Sequence, residues 1–204
     1  MRLVLVDDVW KRFDSKWVLR EVDLEVNIGD VIVIEGPNGS GKTTLLKIIA
    51  GLLQPSRGKV RVECRGVCIG YVGHLPLLYR DLTVEENLRF YSGVYGVDPW
   101  IFSSRTWKVL GLEEYRGVRV EELSYGWRRR ADIARALLIR PRVLLIDEPF
   151  TGLDKEATEV IRDIIVEVAS TGGAVVATTP RIDGLYDEVA TRVMRLRGGR
   201  LIEA

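Results

Sequence analysis

Gly36-Pro37-Asn38-Gly39-Ser40-Gly41-Lys42-Thr43, with Thr44 directly behind it, fits the pattern G-x-x-x-x-G-K-[ST] and constrains this chain more than any other stretch. The apolar run Val31-Ile32-Val33-Ile34 precedes it, and the helix-like Leu45-Leu46-Lys47-Ile48-Ile49-Ala50 follows. A loop in that setting commits the chain to a strand–loop–helix unit. Its glycines let backbone N–H groups converge on phosphate oxygens without side-chain clash, and the helix turns its positive dipole end to the same anion. A nucleoside triphosphate is therefore the expected ligand of this Walker A loop. Lys42 is expected to reach the β- and γ-phosphates, and the Thr43 hydroxyl to hold Mg²⁺.

A second motif complements the first. Val143-Leu144-Leu145-Ile146-Asp147-Glu148 is an unbroken apolar run ending in two carboxylates. Strands of that kind are buried on both faces of a parallel sheet, and their carboxyl ends deliver side chains to the edge where open α/β sheets bind ligands. Asp147 is expected to serve the Mg²⁺ shell. Glu148, one residue on, points elsewhere and is expected to orient or deprotonate an attacking water.

Around these motifs, residues 3–6, 18–24 and 31–34 read as short strands with a turn at 27–30, and predict an antiparallel sheet beside the nucleotide. Two further strands are expected at 59–62 and 68–72. From Thr83 the period becomes helical: Thr83-Val84-Glu85-Glu86 is a capping box ahead of Leu88, Tyr91 and Val94. Pro99 starts or breaks an element, and Trp107, Val109 and Leu110 suggest another helix, which makes about 81–123 a helical insertion. Strand and helix then alternate at 143–146, 157–169, 173–178, 192–196 and 200–202, implying a parallel sheet covered by helices.

Composition narrows the partners. The 204 residues allow one large α/β domain with a small inserted subdomain. With 30 basic and 29 acidic residues the formal net charge is +1, so no overall field draws the chain to nucleic acid, and no direct nucleic-acid partner is expected. No apolar run reaches the ~18 residues of a membrane span, and the start is too short for a signal peptide, so a cytosolic place is expected. Cys64 and Cys68 flank Arg65-Gly66-Val67. A lone pair leaves zinc short of four donors and cytosolic disulfides are rare, so both are expected as small buried hydrophobes. Gln54 is the sole glutamine, and asparagine is limited to Asn27, Asn38 and Asn87. That depletion of heat-labile side chains predicts thermostability.

Between the two motifs lies Leu123-Ser124-Tyr125-Gly126-Trp127-Arg128-Arg129-Arg130, opening a helix that continues over 131–139. Ser124 is a good N-cap, while three arginines crowd turns where positive charge opposes the dipole at about 0.3–1 kcal/mol each, so an anion is expected nearby. The stretch resembles the L-S-G-G-Q signature of ABC ATPases. With Glu85-Glu86-Asn87 after Leu82-Thr83-Val84, and Thr151-Gly152-Leu153-Asp154 after Pro149, the chain is similar to one ABC ATPase domain over 1–204. The resemblance implies an α/β, RecA-like P-loop NTPase: a mostly parallel sheet core with an antiparallel β subdomain and a helical subdomain insertion. It implies ATP and Mg²⁺ as cofactors. It also implies that Ser124, Tyr125, Gly126 and Asp154 meet ATP held by a second copy of the chain, so that two chains close on two nucleotides. Phe13 sits where the family places the aromatic that holds adenine, with Trp10 and Trp17 as rivals.

Tyr125 and Trp127 replace a glycine and the glutamine of the signature, and two further departures bear on mechanism. Tyr71-Val72-Gly73-His74 falls where a glutamine normally touches Mg²⁺ and the attacking water, so His74 is expected in that catalytic and metal-binding place. A neutral imidazole nitrogen can accept or ligate as an amide oxygen does, but only while unprotonated. Thr179, in Ala177-Thr178-Thr179-Pro180, stands where the family has a switch histidine; its hydroxyl is shorter and uncharged, and slow hydrolysis is expected. The leading function is the ATP-hydrolysing subunit of a membrane transporter, peripheral on the inner face of the cell membrane. Phe90, Tyr91, Tyr95, Trp100, Phe102 and Trp107 concentrate where the family docks its separate transmembrane permease. Gly73-His74-Leu75-Pro76 and Leu88-Arg89-Phe90-Tyr91 also resemble the ATPase subunits of haem exporters used in cytochrome c maturation. A soluble ABC ATPase of the iron–sulfur assembly type and a weakly hydrolysing, nucleotide-dependent regulatory module stay open as alternatives. No appended regulatory domain is expected after Ala204.

Overall fold

The computed structural model of the chain describes residues 1–64, 66–98, 104–181, 184, 186 and 188–204. In chain order the strands are β1 (Arg2–Phe13), β2 (Lys16–Asn27), β3 (Val31–Glu35), β4 (Arg57–Val62), β5 (Ile69–Val72), β6 (Val143–Ile146), β7 (Ala174–Thr179), β8 (Arg192–Arg197) and β9 (Arg200–Glu203). The helices are α1 (Lys42–Ile49), α2 (Val84–Tyr95), α3 (Ser104–Val109), α4 (Tyr125–Leu137) and α5 (Lys155–Ser170).

Strands β3 and β6 carry no polar residue before their last position, so neither has a face to offer water, and both lie inside a six-stranded sheet of order β5-β6-β7-β3-β8-β9. The pairings are parallel except for β9, which returns antiparallel on β8. The antiparallel sheet contains β2, β1 and β4 in that order. This corrects one expectation: the 31–34 strand does not belong to the antiparallel sheet. Its burial on both sides selects the middle of the parallel one.

Successive side chains of a strand point to opposite faces, and here that period divides the interior in two. Val31, Val33, Leu144, Ile146, Val175 and Ala177 pack with residues of α2, α4 and α5. Ile32, Ile34, Val143, Leu145, Ala174 and Val176 pack with α1 and with β1 and β2. Each such fully buried Val, Leu or Ile contributes about 1.5–3 kcal/mol of transfer free energy. The doubly covered parallel sheet and the separate antiparallel sheet are those of the P-loop NTPase class.

Local signals operate as the residues dictate. Thr83 caps α2: its hydroxyl accepts the Glu86 N–H at 3.2 Å while the Glu86 carboxylate accepts the Thr83 N–H at 2.8 Å. Gly96 ends the helix at φ 65, a left-handed conformation that glycine adopts without Cβ strain. The expectations for Pro99, Trp100 and Phe102, and for Arg65 in the loop between the cysteines, lie outside the described residues. Two others are corrected. Trp107 is only 6% exposed, with the Arg116 guanidinium 4.5 Å from its ring centroid, so it belongs to the core and not to a docking surface. Cys64 and Cys68 form a disulfide across a Cα–Cα distance of 6.2 Å instead of standing as two separate thiols. Closure of a short loop between β4 and β5 brings the sulfurs together, and Cys68 alone is fully buried. Among the described residues, no helix is long and apolar enough to cross a membrane.

Candidate functional site

The carboxyl ends of four adjacent strands converge on one edge of the parallel sheet. β3 runs into the glycine-rich loop, β5 into Gly73 and His74, β6 into Asp147 and Glu148, and β7 ends with Thr178 and Thr179. Residues far apart in sequence, Gly36 and Thr179 at the extremes, share an edge because parallel strands all point the same way. An open cleft there is lined by Asn38, Gly39, Lys42, Thr43, Thr44, with His74 and Glu148 opposite. Val18, from the antiparallel sheet, closes one side.

Loop 36–41 is tight by construction. A Cβ on Gly36 would stand 2.6 Å from the Leu196 carbonyl oxygen, and Gly41 sits at φ 109 against Val18 and Leu19. Pro37 accepts the Ser40 N–H at 3.1 Å, closing a turn over Asn38 and Gly39. Ser40 Oγ is buried with no partner inside the chain, a polar atom left for a ligand. Lys42 is 5% exposed and donates to the Gly36 and Pro37 carbonyls at 2.6 and 3.3 Å. Burial lowers its pKa below the ordinary lysine value, with Glu148 and Asp147 opposing the shift. A desolvated ammonium at the base of a glycine-rich loop, beside an unpartnered hydroxyl, fits an anion.

Thr43 Oγ1 donates to Asp147 Oδ2 at 2.6 Å, and Thr178 Oγ1 donates to Asp147 Oδ1 at 2.5 Å. Both carboxylate oxygens of a side chain that is 1% exposed are thus oriented. A hydroxyl and a carboxylate in contact are the hard oxygen donors that Mg²⁺ takes together with phosphate oxygens and water. Among the described residues no cluster of three or more His, Cys, Asp and Glu could hold a metal alone.

Glu148 has φ 50, a left-handed conformation uncommon for a side chain with a Cβ. Its N–H donates to Thr178 Oγ1 at 3.0 Å, so one hydroxyl sets both acids. Thr151 Oγ1 lies 3.4 Å from Glu148 Oε2, and His74 Nδ1 lies 3.9 Å from the same oxygen. Thr178 was not legible as a site residue from sequence; its signal is its place at the end of the strand beside β6. Thr179 is buried, and its hydroxyl donates to the Arg181 carbonyl at 2.7 Å, back along its own loop.

The signature residues stand elsewhere. Ser124, the N-cap of α4, has its oxygen 3.5 Å from the Trp127 N–H; Tyr125 is exposed and lies over Gly152. Gly126 comes next to Leu153, and the Asp154 carboxylate caps α5 by accepting the Ala157 N–H at 2.7 Å. None of the four lines the cleft, and neither does Phe13. Phe13 is largely exposed, with the Lys11 ammonium 5.1 Å from its ring centroid, whereas Trp10 and Trp17 pack edge to face on each other.

The three arginines do not wait for an anion, contrary to the sequence expectation. Arg128 donates to the Glu121 carbonyl, Arg130 to the Leu110 carbonyl and Glu156, and Arg129 to the carbonyls of Gly73, Asp147 and Glu148. Internal acceptors offset the unfavourable dipole. Trp127 stacks on Tyr115, with ring centroids 4.1 Å apart, and the Arg130 guanidinium lies 4.4 Å from the Trp127 ring centroid.

A family model described as ABC transporter matches residues 19–151. A Shewanella oneidensis protein named cytochrome c biogenesis ATP-binding export protein CcmA is 36% identical over 192 residues, covering 90% of this chain and 88% of the relative. A Chlorella vulgaris protein named probable sulfate/thiosulfate import ATP-binding protein CysA is 32% identical, covering 98% and 89%. Among solved structures, an ATP-binding subunit of an ABC transporter superposes with a TM-score of 0.89 at 27% identity, covering 98% of this chain and 88% of the other.

Proposed function

The chain belongs to the ABC transporter family as an ATP-binding subunit, and from that premise we propose that it hydrolyses ATP between two copies of itself to drive a separate transmembrane permease. The observation that carries this reading is the meeting of Thr43, Asp147, Glu148 and His74 behind one glycine-rich loop. In this reading the N–H groups of Asn38, Gly39 and Gly41 and the Lys42 ammonium hold the phosphates, with Thr44 beside them. Thr43 and Asp147 hold Mg²⁺, with His74 available as a further ligand. The ion supplies charge neutralisation on the β- and γ-phosphates. Glu148 accepts the proton of the attacking water, and His74 orients that water through its unprotonated nitrogen. Phe13 holds adenine. Ser124, Tyr125, Gly126 and Asp154 of a second copy complete the phosphate shell, which agrees with their place outside the cleft.

Hydrolysis in this reading is slow. Thr179 spends its hydroxyl on Arg181, leaving no switch side chain for the γ-phosphate. That observation also supports the second reading, a weakly hydrolysing regulatory module. We further propose that 1–204 acts as one domain in which about 81–123 is a docking insertion, held to the inner face of the membrane by the permease. Leu75, Leu77 and Tyr79 on the loop after β5, and Phe90 and Val94 on α2, are exposed apolar side chains suited to that contact. The names of the CcmA relatives favour an export partner connected with cytochrome c biogenesis.

Co-purification tests the partner. The tagged chain is expected to bring down a multi-span membrane protein, and Leu75→Glu with Phe90→Glu to release it. Purification with no membrane protein, at full ATPase activity, would instead support a soluble role.

A further inference from the structure

Arg129, Asp132 and Arg135 follow one another at intervals of three along α4 and so share one side of the helix. All three are buried, and buried charges persist only where specific hydrogen bonds compensate them. Arg129 is 1% exposed. Its Nη1 donates to the Gly73 carbonyl, directly before His74, and its Nη2 to the Asp147 carbonyl, with the Glu148 carbonyl at 3.3 Å. Arg135 holds the Tyr71 carbonyl, and Asp132 accepts the Leu77 N–H at 3.2 Å. The segment that carries His74 is therefore gripped by α4 before and after the imidazole. The same helix begins at Ser124.

We propose that Arg129 is a positioning residue: it fixes Glu148 and His74 relative to the signature helix, so that docking of α4 on a second copy sets the acid and the imidazole of its own site. This rests on the reading of Glu148 as the base. The planar guanidinium spans two carbonyls of separate strands at once, which a point ammonium does not reproduce. Displacement of α4 must then move the ends of β5 and β6 or break both bonds.

The test is Arg129→Lys in the whole chain with Mg-ATP. Turnover is expected to fall ~10-fold or more while KM and the affinity for a fluorescent ATP analogue change by less than ~3-fold. In a Glu148→Gln background the same substitution is expected to cause a clearly smaller proportional fall, because one of the two groups it positions, the base, is gone. Should Arg129→Lys not fold, Arg129→Gln is read by the same split and the same double-variant comparison. Equal proportional losses in both backgrounds, or a raised KM with intact turnover, overturn the inference while leaving the site reading in place. No phosphate release from the wild-type chain would remove both.

Discussion

Glu148 occupies its left-handed conformation only because its neighbours over-determine it: Thr178 accepts its N–H and Arg129 lies under its carbonyl. Strain of this order, about 1–3 kcal/mol, is typical of side chains aimed at a reacting atom. Glu148→Gln keeps the shape and removes the base, so phosphate release is expected to drop about 10²–10⁴-fold while ATP affinity is retained. Retained turnover in a steady-state phosphate assay would assign the base elsewhere. His74 has its own signature. The acceptor role belongs to a nitrogen placed 3.9 Å from Glu148 Oε2, so phosphate release is expected to fall in His74→Ala and to be largely kept in His74→Gln, whose amide oxygen can accept in the same place. Equal rates in the wild type and His74→Ala would leave His74 as a loop residue. Lys42 acts on the alkaline side: its pKa is lowered by burial, so the charge that attracts phosphate is lost at a lower pH than in a free lysine. ATP affinity, followed by titration calorimetry, is expected to weaken before the ordinary lysine range is reached.

Helix α4 unites the molecule through charge that is removed from water. Arg135 donates to Asp132 Oδ1 from Nε at 2.9 Å and from Nη2 at 2.8 Å, and Asp132 Oδ2 has no partner. Asp132→Ala leaves the Arg135 guanidinium buried without its counter-charge, and a loss of about 3–5 kcal/mol is expected in denaturant unfolding. A loss below ~1 kcal/mol would mean that the pair is solvated in solution. Sequence displayed the motifs at strand ends, because unbroken apolar runs followed by charge announce a buried strand and its carboxyl edge. It did not display what holds those ends in place. Thr178, Arg129 and Asp132 act on residues 31, 56 and 55 positions away, and no local period encodes such pairings. The run Arg128-Arg129-Arg130 suggested an external anion since its internal acceptors belong to other elements. The place of β3 was misread because adjacency in sequence is a weak guide to which sheet a strand enters.

Taken whole, the chain has its nucleotide loop, acids and imidazole on one edge, and its signature residues outside that cleft. The fold class was legible because order and spacing of the motifs persist through 204 residues, while the disulfide was not, since five residues around Cys64 and Cys68 carry no redox information. Closing that loop stabilises the chain by about 2 kcal/mol through the unfolded state. Thermal unfolding is expected above the ~45–65 °C range of ordinary domains, and to move down by several degrees on reduction. A midpoint near ~50 °C, indifferent to reductant, would contradict the compositional reading. The most direct measurement is the association state of Glu148→Gln, followed by sedimentation with and without Mg-ATP. A monomer that becomes a dimer only with Mg-ATP, and fails to do so when Ser124 is replaced by Arg, is the result expected here. A chain that binds Mg-ATP and stays monomeric, or dimerises with no regard to nucleotide or to Ser124, would contradict it.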